Sequence, residues 1–229
     1  MNVLVLGRGK TGSLVAEVAR ERKHHVQAAG SAENSNCAAL TEERLRQVDI
    51  VIDFTAPHCV VQHIEASARA GKNMVVGTTG WYGELSQVKK LVEGSGIGLV
   101  WGANFSIGVN LFFDIVRASA GALRQQYMGQ IFERHHVHKK DAPSGTAIVI
   151  QKILTETAGK NNDEVEIVSF REGEVVGLHE VVFESDADRI YLCHDAKSRR
   201  GFAEGAVRAA EWLTGKKGLY EFKDVWREM

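Results

Sequence analysis

The chain has 229 residues, of which 44% are hydrophobic and 25% are charged, and its formal net charge is -1. This composition is typical of a globular protein with one large or two small domains, and the near-zero charge argues against nucleic-acid and membrane-surface partners. No apolar run approaches the roughly 18 residues of a membrane span, and three scattered cysteines without a C-x-x-C pattern predict reduced thiols in the cytoplasm.

The first half of the chain alternates strand-like and helix-like segments. Short apolar runs predict five strands, which cover residues 2–7, 24–30, 49–55, 73–80 and 97–106. Amphipathic segments with helical spacing separate them, at 11–23, 41–47, 58–72 and 84–96. Repeated β–α units of this size predict a Rossmann-type, doubly wound parallel sheet with right-handed crossovers.

After residue 105 the pattern changes. A long apolar helix and an extended segment are predicted at 107–123 and 130–138, and a further helix ends near Gly159. Three strand-like runs follow without helices between them, at 164–170, 175–185 and 188–196, and the chain ends in a segment predicted as helical. We therefore predict an α+β domain with a mostly antiparallel sheet over 106–205, and a parallel-sheet domain formed by 1–105 and 206–229.

A glycine-rich turn joins the first predicted strand to its helix. Gly7, Gly9 and Gly12 form a G-x-G-x-x-G pattern. In this pattern the first glycine permits a tight turn, the second lets a pyrophosphate approach the backbone, and the third lets helix and strand pack closely. The phosphates would lie against N–H groups at the helix N-terminus. The pattern predicts a dinucleotide-binding domain, and a tight turn that binds nothing is the alternative.

The choice of cofactor depends on the end of the second predicted strand. An acidic residue that binds the adenosine ribose is expected there, but Gly30 and Ser31 occupy the position and Glu33 follows a little later. Arg8 and Lys10 lie inside the phosphate turn, where they would attract a 2′-phosphate. The sequence therefore favours NADPH over NADH, although Glu33 can still reach the ribose and both cations can be solvated loop residues.

The turns after the fourth and fifth predicted strands, 77–80 and 102–106, are expected to line the same crevice. The reason is that ligands bind beyond the carboxyl ends of the strands in open parallel sheets. Gly77 and Gly80 permit close approach of the backbone, and Thr78 and Thr79 can donate hydrogen bonds to a cofactor. Ordinary strand-end turns are the alternative.

A second candidate site lies in residues 133–147, ERHHVHKKDAPSGTA. In an extended segment, His135, Val137 and Lys139 share one face. An imidazole able to act as a general acid would then lie beside an ammonium that attracts a carboxylate and lowers the proton affinity of the histidine. Ser144 or Thr146 can cap the following helix, whose first N–H groups can hold an anion.

Two other interpretations of this segment remain. His136 and His138 share the opposite face and could bind zinc. However, no cysteine or acidic ligand is spaced to complete a tetrahedral set and two lysines would repel the cation, so no metal is predicted. A polar edge strand with ordinary surface histidines is the second interpretation.

Residues 133–147 resemble the signature of the dihydrodipicolinate reductases, Glu-x-His-His-x-x-Lys-x-Asp-Ala-Pro-Ser-Gly-Thr-Ala, with every fixed position present. The resemblance extends to IDFTAP, VVGTTG, GANFSIGVN and GFAEGAVRAAEWL, and so covers nearly the whole chain. It implies a two-domain homotetramer that uses NADH or NADPH in the diaminopimelate route to lysine. The substrate would be a cyclic dicarboxylate derived from hydroxy-tetrahydrodipicolinate, and the product tetrahydrodipicolinate.

The resemblance also implies roles for individual residues. His135 would protonate the ring carbon after hydride attack, with Lys139 as its partner and substrate anchor. The residues implied to hold the substrate, with Ser144 at the helix start, are His136, Lys139, Ser144, Gly145 and Thr146. Those implied to surround the cofactor are Gly7, Arg8, Gly9, Lys10, Thr11, Gly12, Gly77, Thr78, Thr79, Gly102, Ala103, Asn104 and Phe105. Residues 106–205 would form the substrate-binding and oligomerisation domain.

The sequence departs from many relatives in its shorter glycine turn, in the missing acidic residue at Gly30 or Ser31, and in its shorter chain. Strict strand alternation would also place His136 opposite His135, so that either the strand ends there or His136 acts from a loop. Two rival functions are an amino-acid dehydrogenase of aspartate with the same fold and a non-catalytic dinucleotide-binding regulator. The intact His135 and Lys139 argue against both.

Overall fold

The computed structural model describes residues 1–229 and divides the chain into two compact units. The first consists of Met1–Ile107 and Arg199–Met229, and the second is Gly108–Ser198. The predicted division at residue 206 falls inside a helix that begins at Arg200, so that the whole helix belongs to the first unit. None of the helices is long and apolar enough to cross a membrane.

The first unit is built from a six-stranded sheet and the helices that connect its strands. The strands are β1 (Asn2–Leu6), β2 (His25–Ala29), β3 (Ile50–Asp53), β4 (Asn73–Val76), β5 (Gly98–Trp101) and β10 (Gly218–Glu221). The helices are α1 (Lys10–Glu21), α2 (Glu42–Arg46), α3 (Pro57–Arg69), α4 (Leu85–Ser95), α7 (Arg200–Trp212) and α8 (Phe222–Val225). All neighbouring strands are parallel, in the order β10-β5-β4-β3-β1-β2, which confirms the predicted doubly wound sheet.

The second unit is a four-stranded sheet with two long helices. Its elements are α5 (Ile107–Ser119), β6 (Met128–His135), α6 (Gly145–Ala158), β7 (Val165–Arg171), β8 (Leu178–Glu184) and β9 (Arg189–Asp195). The strand order is β7-β6-β8-β9, in which β6 and β7 are parallel and the other two pairs are antiparallel. The predicted α+β region with a mostly antiparallel sheet is therefore confirmed.

The C-terminal segment differs from the prediction of a continuous helical end. Gly218–Glu221 form β10, which pairs with β5 so that Tyr220 lies opposite Val100. Only Leu219 and Tyr220 give an apolar signal here, which is too short to separate a strand from a helix end. Pairing with β5 satisfies the backbone of this segment and decides its structure.

The strand that carries the histidines is shorter than predicted. β6 ends at His135, and the N–H groups of His136 and Val137 then donate to the carbonyl oxygens of Val175 and Gly173. The prediction that His135, Val137 and Lys139 share one strand face is therefore wrong. Lys139 lies in a loop instead, because backbone hydrogen bonds to the segment before β8 turn the chain away from the sheet.

Each unit has its own apolar core. All of β1 after its first residue is buried, because helices cover both faces of the parallel sheet. In the second unit, Ile131 of β6 and Val181 of β8 belong to the same buried cluster as Ile150 and Leu154 of α6. Burial of this one face of the sheet also fixes which side chains of β6 point inward.

Candidate active site

The glycine-rich turn of the first unit packs as its pattern predicts. Gly7 has a φ of +101°, and a Cβ at this position would lie 2.1 Å from the carbonyl oxygen of Phe54. A Cβ on Gly12 would lie 2.2 Å from the carbonyl oxygen of Gly7, so that α1 and the turn are in direct backbone contact. Nothing lies within 4 Å of the Cβ position of Gly9. The turn is therefore tight on its inner side and open at its second glycine.

A crevice of about 320 Å³ lies at the carboxyl ends of β1, β3 and β4. It is lined by three loops, with the residues Gly9, Lys10, Thr11, Gly12, Phe54, Thr55, Pro57, Gly77, Thr78 and Thr79. Helix α1 begins at Lys10, and no side chain caps its N-terminus. Uncapped N–H groups and the helix dipole both favour an anion at this point, so the crevice suits the diphosphate of a dinucleotide.

The loop after β5 does not line this crevice. The side chain of Phe105 is buried and packs against Phe222, with ring centroids 4.6 Å apart. A Cβ on Gly102 would lie 2.9 Å from the Cβ of Phe222. Ala103 is exposed and Asn104 is half-buried, so a ligand could contact these two residues but not the Phe105 ring.

Arg8 is held at the end of β2 and does not line the crevice. Its guanidinium lies 3.0 Å from Oε1 of Glu33 and donates to the carbonyl oxygen of Ala28 at 3.0 Å. Oε2 of Glu33 accepts from the N–H of Gly30 at 2.7 Å. Glu33 thus folds back and brings a carboxylate to the strand end where the sequence lacks an acid. Both side chains of the ion pair are about half exposed, so the pair is weak and can open.

In the second unit, His135 is buried at the end of β6. Alternation along β6 places Glu133 and His135 on the covered face, and Nδ1 of His135 contacts Oε2 of Glu133. The carboxylate holds the ring proton on Nδ1, which leaves Nε2 as the nitrogen that can take up and donate a proton. A Cβ on Gly177 would lie 3.1 Å from this Nε2, so glycine at position 177 keeps the space beside it free.

The charge of Glu133 is balanced within the protein. Its Oε1 accepts from the guanidinium of Arg171 at 2.9 Å. Burial would raise the pKa of Glu133, but hydrogen bonds from Ser169 and Arg171 and the charge of His135 outweigh burial and lower it. Arg171 also donates to the carbonyl oxygen of Asp141, and so ties the loop after β6 to the sheet.

Strand β8 brings a second buried histidine to the same place. His179 lies opposite Glu133 in the β6–β8 register, and its ring is 5.1 Å from that of His135 in an edge-to-face arrangement. Burial, with a smaller effect of His135, lowers the pKa of His179 to about 4, so that this ring is neutral at neutral pH. Its Nε2 lies 3.2 Å from Oγ of Ser144, which connects the end of β6 with the start of α6.

The proton affinity of His135 reflects several neighbours. Burial is the largest effect and lowers the pKa of His135; Glu133 opposes it, while the positive charges of Lys139 and Arg171 lower the pKa further. Nζ of Lys139 lies 2.8 Å from Oδ1 of Asp141, and the lysine side chain is 23% exposed. The lysine therefore acts on His135 from the loop, without sharing its strand.

The start of α6 offers backbone to an anion. Ser144 is the N-cap, and its Oγ accepts from the N–H of Ala147 at 3.2 Å, so Thr146 is not the capping residue. Gly145 is exposed, and nothing lies within 4 Å of its Cβ position. A carboxylate can therefore approach the first N–H groups of this helix.

Three buried groups of this site offer possible metal-ligand atoms within 4.8 Å of one another: Glu133, His135 and His179. The charges around them oppose a cation, because Arg171 already occupies one carboxylate oxygen and Lys139 adds a second positive charge. His136 and His138, whose ring centroids are 6.2 Å apart, do not belong to this group. That no metal takes part stays a prediction.

Some residues that contribute to these sites were not predicted as site residues, among them Phe54, Thr55, Pro57, Arg171 and His179. The first three directly follow β3, and the strand-end rule that selected residues 77–80 would also have found them. Arg171 and His179 carry no local signal. They reach the site through register, since Arg171 lies opposite His135 and His179 lies opposite Glu133.

Comparison with known proteins matches both parts of the chain to one family. The models described as dihydrodipicolinate reductase, N-terminus and C-terminus, match residues 1–105 and 108–226. A 4-hydroxy-tetrahydrodipicolinate reductase from Christiangramia forsetii is 34% identical over an alignment of 238 positions. The alignment covers 98% of this chain and 97% of that protein. One from Ralstonia nicotianae is 39% identical over 198 residues, which cover 79% and 75%.

A solved structure shares the fold over the whole chain. It is a dipicolinate-bound dihydrodipicolinate reductase from Paenisporosarcina sp. TG-14, with 24% sequence identity and a TM-score of 0.78. The match covers 98% of this chain and 99% of that one. At this identity the likeness concerns the fold alone.

Proposed function

Because the chain belongs to the dihydrodipicolinate reductase family, we propose that its two candidate sites hold the cofactor and the substrate of a 4-hydroxy-tetrahydrodipicolinate reductase. The protein is an oxidoreductase that uses NADH or NADPH to reduce hydroxy-tetrahydrodipicolinate to tetrahydrodipicolinate in the diaminopimelate route to lysine. One observation carries the assignment of the substrate site. It is a buried histidine whose Nδ1 contacts a buried carboxylate and whose Nε2 lies next to a glycine.

In this proposal the substrate carboxylates bind around the start of α6. Gly145 and Thr146 offer backbone N–H groups, and Ser144 fixes the turn that presents them. Lys139 offers its ammonium from the loop that Arg171 ties to the sheet. His136 follows the last residue of β6, so strand alternation no longer directs it away from His135. Its contact with a carboxylate is part of the proposal.

The proton that completes the reduction comes from His135. Loss of the hydroxyl group of hydroxy-tetrahydrodipicolinate as water leaves a carbon–carbon double bond in the ring. When bound, NAD(P)H would supply a hydride to one carbon of this double bond, and the neighbouring carbon then takes up a proton. Nε2 of His135 donates it as the general acid, and Glu133 stabilises the imidazolium before the transfer by accepting from Nδ1. Arg171 and Lys139 keep positive charge close to the dicarboxylate throughout.

Substrate binding is expected to protonate His135. In the free protein the pKa of His135 lies below its ordinary value, so the ring is mostly neutral at neutral pH. The two carboxylates of the substrate, bound beside Lys139, offset the positive charges of Lys139 and Arg171 and so raise the pKa of His135. Calorimetry with dipicolinate in buffers of different ionisation enthalpy should therefore show uptake of up to about one proton at neutral pH. In His135→Gln the uptake should disappear, and an equal uptake in this variant would contradict the assignment.

The choice between the two nucleotides is a finer proposal, in which NADPH is favoured. Lys10 lines the crevice, and Arg8 can leave its weak ion pair with Glu33 to meet a 2′-phosphate. Glu33 in turn provides a carboxylate for the ribose hydroxyls of NADH. The Arg8–Glu33 pair would thus let the site accept both cofactors while preferring the phosphorylated one.

Replacement of Arg8 by alanine tests this preference. It should lower kcat/KM for NADPH about tenfold relative to NADH, which corresponds to the loss of one charge-assisted hydrogen bond. Arg20→Ala, at an exposed position of α1, is the matched control and should leave the ratio unchanged. If Arg8→Ala leaves the ratio unchanged or raises it, Arg8 does not bind the 2′-phosphate.

We extend the proposal to a homotetramer in the cytoplasm, without nucleic-acid or membrane partners. The strands β7 and β9 expose large apolar side chains, with Phe170 40%, Ile190 42% and Tyr191 60% accessible. Exposed apolar surface of this kind is typical of subunit interfaces. The three cysteines are free thiols, which fits a reducing compartment.

A further inference from the structure

A buried polar relay lies beside the crevice of the first unit, and the proposed reaction does not use it. Asp53 at the end of β3 is fully buried, and His63 on α3 is 2% exposed. Oδ2 of Asp53 lies 2.6 Å from Nδ1 of His63, and Nε2 of His63 lies 2.8 Å from Nδ2 of Asn34. We call Asp53, His63 and Asn34 the relay.

The hydrogen bonds of Asn34 fix the direction of the relay. Oδ1 of Asn34 accepts from the N–H of Ala39 at 3.1 Å, so its amide nitrogen must face His63 and donate to Nε2. A ring nitrogen that accepts a hydrogen bond carries no proton. The single ring proton of His63 is therefore on Nδ1, from which it is donated to Asp53.

The other oxygen of Asp53 holds two loops of the crevice together. Oδ1 accepts from the N–H and the hydroxyl of Thr55 at 2.9 and 2.7 Å, and from the hydroxyl of Thr78 at 2.8 Å. The N–H of Thr55 also lies 2.7 Å from Oγ1 of Thr78. Both threonines line the crevice, whereas Asp53 is inaccessible. The carboxylate can therefore influence a ligand only through these two residues.

The relay also reaches the loop after β2. Asn34 directly follows Glu33, and its N–H donates to the carbonyl oxygen of Gly30 at 3.0 Å. One chain of hydrogen bonds thus joins the loop that carries Glu33 to the loops after β3 and β4. Buried polar networks in which each member is satisfied favour a single conformation of the groups they connect.

We propose that Asp53 and His63 are positioning residues for the dinucleotide, which fix Thr55 and Thr78 in the geometry that binds it. The inference rests on the proposed cofactor site. It assigns a task to a buried charge that neither the glycine turn nor the histidine site requires. It also requires that binding of the dinucleotide depends on which atoms of the relay donate and which accept, and not only on the presence of the three side chains.

Asp53→Asn tests the inner end of the relay. The new amide oxygen can still accept from Thr55 and Thr78, but the new amide nitrogen faces the Nδ1–H of His63, so two donors meet. The dissociation constant of NADPH, measured by fluorescence titration, should rise about tenfold, while KM for the dicarboxylate stays unchanged. Asp49→Asn is the matched control, because Asp49 is an exposed carboxylate just before β3 that accepts from the N–H of Asn2.

A reversed relay separates hydrogen-bond direction from simple loss of a residue. In the double variant Asn34→Asp with Asp53→Asn, the carboxylate at position 34 accepts from both Ala39 and Nε2–H of His63. Nδ1 of His63 then accepts from the amide at position 53. NADPH affinity should return to the wild-type value with the net charge unchanged. A double variant that binds NADPH no better than Asp53→Asn would overturn the proposal.

Two measurements on the unaltered protein keep the test decisive. Ring 15N resonances of His63 should show a proton on Nδ1 and none on Nε2, and a protonated Nε2 would refute the relay even if Asp53→Asn does not fold. Failure of the wild type to bind NADPH would instead refute the cofactor site itself. Normal binding in the wild type and equal binding by Asp53→Asn would refute only the positioning role.

Discussion

Replacing His135 by glutamine is expected to lower kcat by about 10²- to 10⁴-fold, the contribution of a well-placed general acid. Glutamine keeps a polar group next to Glu133 but has no nitrogen that can take up and donate a proton at neutral pH. The affinity for NADPH should remain unchanged, because His135 belongs to the second unit and the crevice is lined by the first. Steady-state turnover and a fluorescence titration of NADPH measure the two quantities separately.

A histidine of the same segment provides the control for this experiment. The side chain of His138 is 77% exposed, and its Nε2 lies 4.0 Å from a carboxylate oxygen of Glu174. His138→Gln should turn over like the wild type. Turnover of His135→Gln near the wild-type rate would remove His135 from the chemistry.

The pH dependence gives an independent view of the same group. The proposed mechanism requires the acid form of His135, and burial lowers the pKa of this histidine in the free protein, so kcat/KM should fall as the pH rises through that lowered value. We expect the bound dicarboxylate to raise the pKa of His135, so kcat should persist to higher pH than kcat/KM. In His135→Gln this decrease of kcat/KM at higher pH should be absent. If the variant still shows the decrease, a different group is the acid.

Lys139→Ala is expected to lower kcat/KM by about 10- to 150-fold, with both a lower kcat and a higher KM for the dicarboxylate, the loss expected for one charge-assisted hydrogen bond. The substitution removes the ammonium that pairs with Asp141 and that we propose to contact a carboxylate. It also removes one of the charges that lower the pKa of His135. The decrease of kcat/KM with rising pH should therefore occur at a higher pH than in the wild type.

The neighbouring lysine is a matched control for charge. Lys140 is exposed next to Lys139 in the same loop. Lys140→Ala should change neither the KM for the dicarboxylate nor the pH at which kcat/KM decreases. A Lys139→Ala defect confined to the KM for the cofactor would contradict the proposed role in substrate binding.

Local pattern was sufficient to predict the glycine turn. Gly7, Gly9 and Gly12 stand between a strand and a helix, and each has the space that its place in the pattern requires. The requirement is steric and acts over a few residues, so it can be seen in a short stretch of sequence. The same holds for Ser144, where a capping residue precedes an apolar helix.

Pairing between distant segments could not be predicted in this way. The end of β6 at His135 depends on hydrogen bonds from residues 136–137 to the segment before β8. The position of His179 depends on the β6–β8 register, and β10 exists because β5 offers it an edge. Non-local contacts of this kind leave no periodic signal in the segment concerned.

Glu33 is intermediate between features that a local pattern predicts and features that depend on distant pairing. The sequence shows that no acid follows β2 directly, and the structure shows a carboxylate at that place because three residues of chain fold back. The side chain is long enough to close the gap and is held by the N–H of Gly30 and by Arg8. The alternative that the sequence left open, in which Glu33 reaches the ribose position, is therefore compatible with this geometry.

As a member of its family, this chain reduces the dihydrodipicolinate precursor with a pyridine nucleotide. The most direct test is steady-state oxidation of NADPH and of NADH, in parallel, with freshly generated hydroxy-tetrahydrodipicolinate. We expect turnover with both nucleotides, faster with NADPH, and loss of turnover in His135→Gln. No turnover with either nucleotide, in a folded protein that still binds NADPH, would contradict it.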